Sequence, residues 1–136
     1  MPFANVPEFP VDTSVGNDKI ITVPAEETWQ VRGVFCKFVT TATVGTRFLV
    51  FEYLTPAPDV AFTQDWSESQ IASLTKRFAA APQLTPSEDQ AGVQLFIQIP
   101  VLWLLPGWAV RVFDVNNIDN ADVLTISMNR VISSVQ

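Results

Sequence analysis

The chain has 136 residues, 48% of them hydrophobic and 16% charged, so it is long and apolar enough to bury the core of one folded domain. Its formal net charge is −6 and its basic residues do not cluster beyond Lys76 and Arg77, which argues against binding to nucleic acid. It contains no histidine and one cysteine, Cys36, which excludes an internal disulfide and removes the base of the usual serine or cysteine triads.

Residues 1–18 are predicted to form an extended arm ahead of a single domain at residues 19–136. Three prolines, which disfavour a helix, alternate with two phenylalanines in this arm: Pro2, Phe3, Pro7, Phe9 and Pro10. Two interpretations remain open. The arm is either a loose terminus or a segment whose phenylalanines, Phe3 and Phe9, dock on a neighbouring subunit.

Alternation of apolar and polar residues predicts β-strands along most of the domain. The clearest of these strands cover the segments Lys19–Val23, Trp29–Thr41, Thr46–Leu54, Val93–Ile99 and Val123–Val131. In the second segment the apolar phase shifts at Gly33, and such a shift predicts a β-bulge because one extra residue moves the following side chains to the other face. Cys36 is then expected in the core. The side chains expected to face outward are Phe35, Lys37 and Val39.

Two regions between these strands have less regular patterns. Thr55–Gln70 is predicted to be a long loop. Glu68–Ala81 fits either a capped helix or a strand, and we favour the strand because Leu74, Lys76 and Phe78 alternate and the surrounding sequence has β character.

The stretch Leu102–Asp114 is predicted to be a buried hairpin. Pro106 sets φ for the first central position of its turn, and Gly107 supplies the positive φ of the second. Val101–Leu105 is apolar without a break, so we expect it to be covered on both sides. Prolines interrupt the longest apolar stretch, around Ile97–Val112, and we therefore expect no membrane span.

Short strands, frequent turns and no convincing helix predict an all-β fold. We expect a two-sheet antiparallel β-sandwich of jelly-roll or related Greek-key topology. Two strands carry large apolar residues on both faces, and such faces are commonly covered by another chain. The candidate interface residues on these strands are Phe35, Val39, Phe48 and Val50.

The loop between Asp114 and Asp122 is rich in oxygen ligands, and one hypothesis is a calcium site. Its candidate ligands are Asp114, Asn116, Asp119 and Asp122. An EF-hand loop that begins with Asp114 and Asn116 would carry a third oxygen ligand two residues later. That position is Ile118, and no glutamate closes the loop, so the loop departs from an EF-hand. Because Asp and Asn also favour turns for backbone reasons, we favour a plain loop without metal.

Two long segments of the sequence carry a family resemblance. Ile21–Tyr53 contains V-P-A-x-x-x-W-x-V and T-A-T-V-G-x-R, and Leu104–Val131 contains a Leu-Pro-Gly turn, a strand, an Asp/Asn-rich loop and a final strand. These features resemble small virion proteins encoded beside the capsid genes of tailed bacteriophages. The resemblance covers about half the chain.

The resemblance implies a jelly-roll-like sandwich that decorates or cements the outside of the phage head, often as a trimer. We therefore expect a non-enzymatic protein of the outer capsid surface, without cofactor or small-molecule substrate. Its expected partners are the major capsid protein and further copies of itself in a homotrimer. An alternative is a carbohydrate-binding module of a phage tail or fibre, using the aromatic residues Phe62 and Trp66.

Overall fold

The computed structural model describes residues 10–66, 69–82, 87–88 and 94–134, and this part of the chain forms eleven strands without a helix. The strands are β1 (Val11–Asp12), β2 (Asp18–Thr22), β3 (Glu27–Val39), β4 (Leu49–Leu54), β5 (Val60–Asp65), β6 (Thr75–Ala81), β7 (Ser87–Glu88), β8 (Gln94–Gln98), β9 (Trp103–Leu104), β10 (Ala109–Asp114) and β11 (Val123–Ser134).

The strands form two sheets. The large sheet has seven strands in the order β1-β11-β3-β6-β8-β7, with β9 paired to one end of β3. The small sheet has four strands in the order β2-β10-β4-β5. All pairs are antiparallel except β6 with β8, which run parallel. The predicted all-β, two-sheet fold is therefore confirmed, with a large sheet that is mixed rather than purely antiparallel.

The hydrophobic core lies between the sheets and draws side chains from both. Trp66 is 1% exposed and packs edge-on against Phe78 of the large sheet and Phe51 of the small sheet, with ring centroids 5.5 and 6.5 Å away. Its indole N–H donates to the Ala79 carbonyl at 3.3 Å, which satisfies the buried polar atom. This tryptophan joins the two layers of the sandwich.

The predicted irregularity in β3 is confirmed. The pairing of β3 with β11 shifts where Asn129 faces Gly33 and the next residue, Arg130, faces Val31, so one extra residue lies on the β3 side. Before and after this bulge, Val31 and Cys36 both reach the core. The shift thus keeps apolar side chains buried along all thirteen residues of the strand.

Two predictions for the middle of the chain have different outcomes. The favoured strand at Glu68–Ala81 is confirmed by β6, although the strand begins only at Thr75. The predicted Thr55–Gln70 loop is wrong in part, because it contains β5. This edge strand pairs with β4 alone and five of its six residues are exposed, so it lacks the apolar alternation that would have indicated it.

The stretch Leu102–Asp114 is not a hairpin. The predicted turn is present, since Gly107 has φ +87° and the Trp108 N–H donates to the Leu105 carbonyl at 3.0 Å. Its two strands do not pair with each other, because β9 joins β3 in the large sheet whereas β10 joins β2 and β4 in the small sheet. The turn therefore carries the chain from one sheet to the other.

The predicted arm at residues 1–18 divides at Pro10. Residues 1–9, including Phe3 and Phe9, lie outside the described residues. From Pro10 onward the segment belongs to the fold: β1 pairs with β11, and the Leu124 N–H donates to the Gly16 carbonyl at 2.9 Å. The predicted arm is therefore too long, because the segment from Pro10 onward is part of the sandwich.

Candidate interaction surface

An apolar row crosses the outer face of the large sheet, the face that points away from the core. The register places five residues side by side on five adjacent strands, and all but the serine are apolar: Val11, Ser127, Phe35, Ala79 and Phe96. Phe35, at the centre, is 53% exposed and Val11 is 57% exposed. Large apolar side chains normally avoid such exposure when they adjoin one another, so the row is a candidate contact surface.

The ring of Phe35 is held over the bulge of its own strand. A Cβ at Gly33 would lie 3.1 Å from the Phe35 Cζ atom, so the missing side chain of the glycine makes room for the ring. Beside the ring is a shallow groove of about 350 Å³, lined by Val11, Phe35, Ser127, Met128 and Asn129. The bulge therefore shapes a groove on the exposed face.

A second apolar zone adjoins the first across β9. Trp103 pairs with Gln30 and shares its outward side, and it is 49% exposed. Val101 and Leu105 are also half exposed and alternate with the buried Leu104. The prediction that Val101–Leu105 is covered on both sides is therefore wrong: one side is in the core and the other is open to solvent.

Two cations lie next to the apolar row. Lys37 and Arg77 are directly paired across β3 and β6, point outward and are exposed. Neither forms an ion pair with a described carboxylate, and like charges directly opposite each other on a sheet are destabilising. No Asp or Glu occupies an outward position on the described parts of the neighbouring strands β11, β6 and β8. The described part of this face is therefore basic, although the chain carries a net charge of −6.

The outer face of the small sheet has the opposite charge. Its outward positions include Asp18, Glu52 and Asp65, with Arg111 as the cation among them. The Arg111 guanidinium binds both Asp18 oxygens at 2.7 and 2.9 Å and a Glu52 oxygen at 3.3 Å, which raises its pKa. Asp65 is exposed and forms no ion pair with a described residue. Exposed apolar residues flank this acidic group, among them Ile20, Phe48 and Val60.

The predicted interface residues divide between the two faces. Phe35 and Val39 point outward from the large sheet, as predicted, and are 53% and 37% exposed. Phe48 is 40% exposed on the side of the small sheet, and Val50 beside it is only 8% exposed. Val50 is therefore too buried to form a contact. The remaining residues do not form one surface, because they lie on opposite sides of the sandwich.

The Asp/Asn-rich loop is occupied by internal hydrogen bonds. Asp114 accepts the backbone N–H groups of Phe48, Asn116 and Ile118 at 3.0 to 3.2 Å. The Asn116 amide in turn donates to the Thr46 carbonyl at 2.8 Å. These groups tie the end of β10 to the start of β4 and thereby set the conformation of the loop.

Asp119 is likewise held by hydrogen bonds, two of them from the segment that follows β3. It accepts the hydroxyl groups of Thr41 and Thr43 at 2.6 and 2.7 Å and the N–H of Ala121 at 2.9 Å. These hydrogen bonds, that of Thr41 first, lower the pKa of Asp119 to about 2. Within the described ranges, no group of three or more acidic or cysteine side chains is arranged to hold a metal ion. The carboxylate oxygens of Asp114, Asp119 and Asp122, which were calcium candidates, face protein donors instead.

The centre of this network is a fully buried ion pair. Arg47 Nε lies 2.9 Å from Asp122 Oδ2 and its Nη2 lies 3.2 Å from Oδ1, and both side chains are 0% exposed. Asp122 Oδ1 also accepts the Thr41 N–H at 2.8 Å. The T-A-T-V-G-x-R motif and the Asp/Asn-rich loop, which are more than 65 residues apart in sequence, thus bind each other. The motifs that carry the family resemblance have a structural role here.

The cysteine and the two aromatic residues proposed for sugar binding pack in the core or against it. Cys36 is buried among apolar residues, and this burial raises the pKa of its thiol well above the usual range. Trp66, proposed from the sequence as part of a sugar-stacking platform, is buried, and Phe62 packs against the core. The two aromatic residues therefore do not form an open platform. The exposed tryptophan is Trp103, which the sequence pattern had placed in a buried strand.

None of the described residues forms a helix with the length and apolar character needed to cross a membrane. Comparison of the whole chain with family models, with curated proteins and with solved structures found no match.

Proposed function

We propose that this chain is a non-enzymatic structural protein of a tailed-phage virion. It attaches to the outside of the head by docking the outer face of its large sheet on the major capsid protein. The observation that carries the proposal is the exposed apolar row centred on Phe35. The resemblance of Ile21–Tyr53 and Leu104–Val131 to head decoration proteins selects the capsid as the partner.

The physical basis of attachment is the burial of apolar surface. The outer face presents Phe35 in a groove, with Trp103 in the adjoining zone, and aromatic anchors in or beside pockets commonly dominate binding energy. Burying the exposed half of Phe35 contributes about 1 kcal/mol or more. Because such a protein binds the assembled shell more tightly than free capsid subunits, it shifts the assembly equilibrium toward the shell.

Binding to phage heads that lack this protein tests the proposal. Phe35→Asp places a charge at the centre of the apolar row, where it would have to be desolvated on docking, and we expect at least a tenfold weaker association. The matched control is Val44→Asp, since Val44 is 91% exposed and lies in the loop between β3 and β4, away from the strands of the outer face.

Co-sedimentation with the heads measures both variants under the same conditions. Weak binding of Phe35→Asp together with full binding of Val44→Asp supports attachment through the large sheet. Equal binding of both variants would contradict it. A wild-type protein that does not bind heads at all would remove the capsid from the proposal.

A further inference from the structure

We propose that copies of this chain associate head to tail, with the outer face of the large sheet of one copy docked on the outer face of the small sheet of the next. The inference deepens the proposed function, on which it rests in assigning the large-sheet face to protein binding. It makes a second copy of this chain the occupant of that face in every copy except the one at the end of the stack, whose large-sheet face stays free for the capsid.

Charge complementarity identifies the second copy. The large-sheet face presents Lys37 and Arg77 without a described acidic partner, whereas the small-sheet face presents Asp65, which has no ion pair with a described residue, beside the acidic group around Arg111. In a head-to-tail contact each face meets the opposite charge. In a contact between two identical faces, Lys37 and Arg77 would meet the same cations, which costs association energy.

The apolar residues of the two faces support the same pairing. Phe35 and Val11 are exposed on the large-sheet face, and Ile20, Phe48 and Val60 are between 40% and 53% exposed on the small-sheet face. Each face therefore combines apolar side chains with a net charge, positive on the large-sheet face and negative on the small-sheet face. Docking would cover apolar surface on both copies and would also relieve the repulsion between Lys37 and Arg77.

The arrangement of the faces determines the kind of assembly. They are the outer faces of two packed sheets and therefore point in opposite directions. A contact between two unlike surfaces forms a closed ring only if the surfaces are inclined to each other. Each added copy is then rotated relative to the previous one, until the last copy meets the first. Oppositely directed faces instead produce an open stack, in which the mass continues to grow with concentration and does not stop at a trimer.

Charge exchange between the faces tests the inference. Arg77→Glu makes the large-sheet face more acidic, and Asp65→Lys makes the small-sheet face more basic. We expect each variant to associate roughly tenfold or more weakly than the wild type, because like charges then meet across the contact. The double variant exchanges the charges of residues 77 and 65, so these two side chains again carry opposite charges across the contact, and we expect it to associate about as well as the wild type. Asp59→Lys, in the loop between β4 and β5, is the control for the change in net charge.

Sedimentation equilibrium over a concentration series gives the readout. Growth of the wild-type mass without a plateau, loss in both single variants and recovery in the double variant support the stack. A monomer at all concentrations, a mass that stops at a trimer, or failure of the double variant to recover would overturn it. A wild-type monomer that still binds heads through Phe35 would overturn the stack and leave the proposed function standing.

Discussion

Among single residues, Arg47 and Asp122 are the two whose loss we expect to affect stability most. Both side chains are fully buried and form two hydrogen bonds with each other. Burying two charges has a large desolvation cost, so such a pair adds little net stability compared with apolar residues. Removing one partner is different, because the other charge remains buried without compensation.

We therefore predict that Asp122→Ala lowers the free energy of unfolding by about 3–5 kcal/mol. Urea denaturation followed by tryptophan fluorescence measures the change. Asn120→Ala is the control, since Asn120 is exposed in the same loop, and its effect should stay within about 0.5 kcal/mol. A small loss in Asp122→Ala, similar to that of the control, would show that the buried pair is not maintained in solution.

The lowered pKa values of two carboxylates predict how the free energy of unfolding depends on pH. Hydrogen bonds from Ser14, followed by Lys19, lower the pKa of Asp12 from 3.8 to about 2, and those from Thr41 and others lower the pKa of Asp119 equally. A carboxylate whose pKa is lower in the folded than in the unfolded state stabilises the fold, and this contribution is fully present at pH values above its unfolded-state pKa. That contribution is lost as the pH falls from about 4 through about 2.

The expected result is a free energy of unfolding that decreases on acidification through this window. Denaturant titrations at a series of pH values measure it, and Asp119→Asn should reduce the dependence because one of the two groups no longer titrates. If the wild type and Asp119→Asn lost stability in parallel, with identical slopes, the hydrogen bonds to Asp119 would not be responsible.

At the level of strands and turns, the sequence predicts the elements that can be identified from the apolar pattern of their own residues. The bulge at Gly33 could be predicted because it reverses the alternation between Val31 and Val34, and β11 because its alternation is regular. The edge strand β5 could not, since most of its side chains are exposed and no alternation results. The turn at Gly107 could be predicted from its residues, but the partners of β9 and β10 could not, because turn chemistry does not determine pairing.

The first strand yields a prediction about truncation. Deleting residues 1–18 removes Asp12 and Ser14, which accept hydrogen bonds from the Lys19 ammonium at 2.5 to 3.0 Å. Lys19 is 3% exposed, so its charge would lose its partners inside the protein. We expect a loss of about 3 kcal/mol or more in the free energy of unfolding.

Thermal unfolding of two truncated chains tests this prediction. A chain that starts at Pro10 keeps the acceptors of Lys19 and should unfold at a higher temperature than one that starts at Lys19. Coincident melting curves would contradict a structural role for β1 and for the segment that follows it.

At the scale of the molecule, the two sheets present faces of opposite charge, each with exposed apolar residues. The candidate surface was predicted in part, since Phe35 and Val39 were recognised as outward residues of an apolar strand. Its second zone was not, because the unbroken apolar run Val101–Leu105 has the composition of a buried strand. Only the position of β9, with one side open, exposes Trp103. The charge separation likewise depends on strand order and could not be derived from the sequence.

The claim that the outer face of the large sheet is the attachment surface is tested most directly by hydroxyl-radical footprinting of free and head-bound protein. Phe35 and Trp103 are both about half exposed and react in the free protein at concentrations at which it is monomeric. Mass spectrometry of the peptides that contain them measures their oxidation, with Val44 as the internal reference for a residue away from the surface. We predict that binding protects Phe35 and Trp103 and leaves Val44 unchanged. Equal oxidation of Phe35 and Trp103 in the free and bound states would contradict the account.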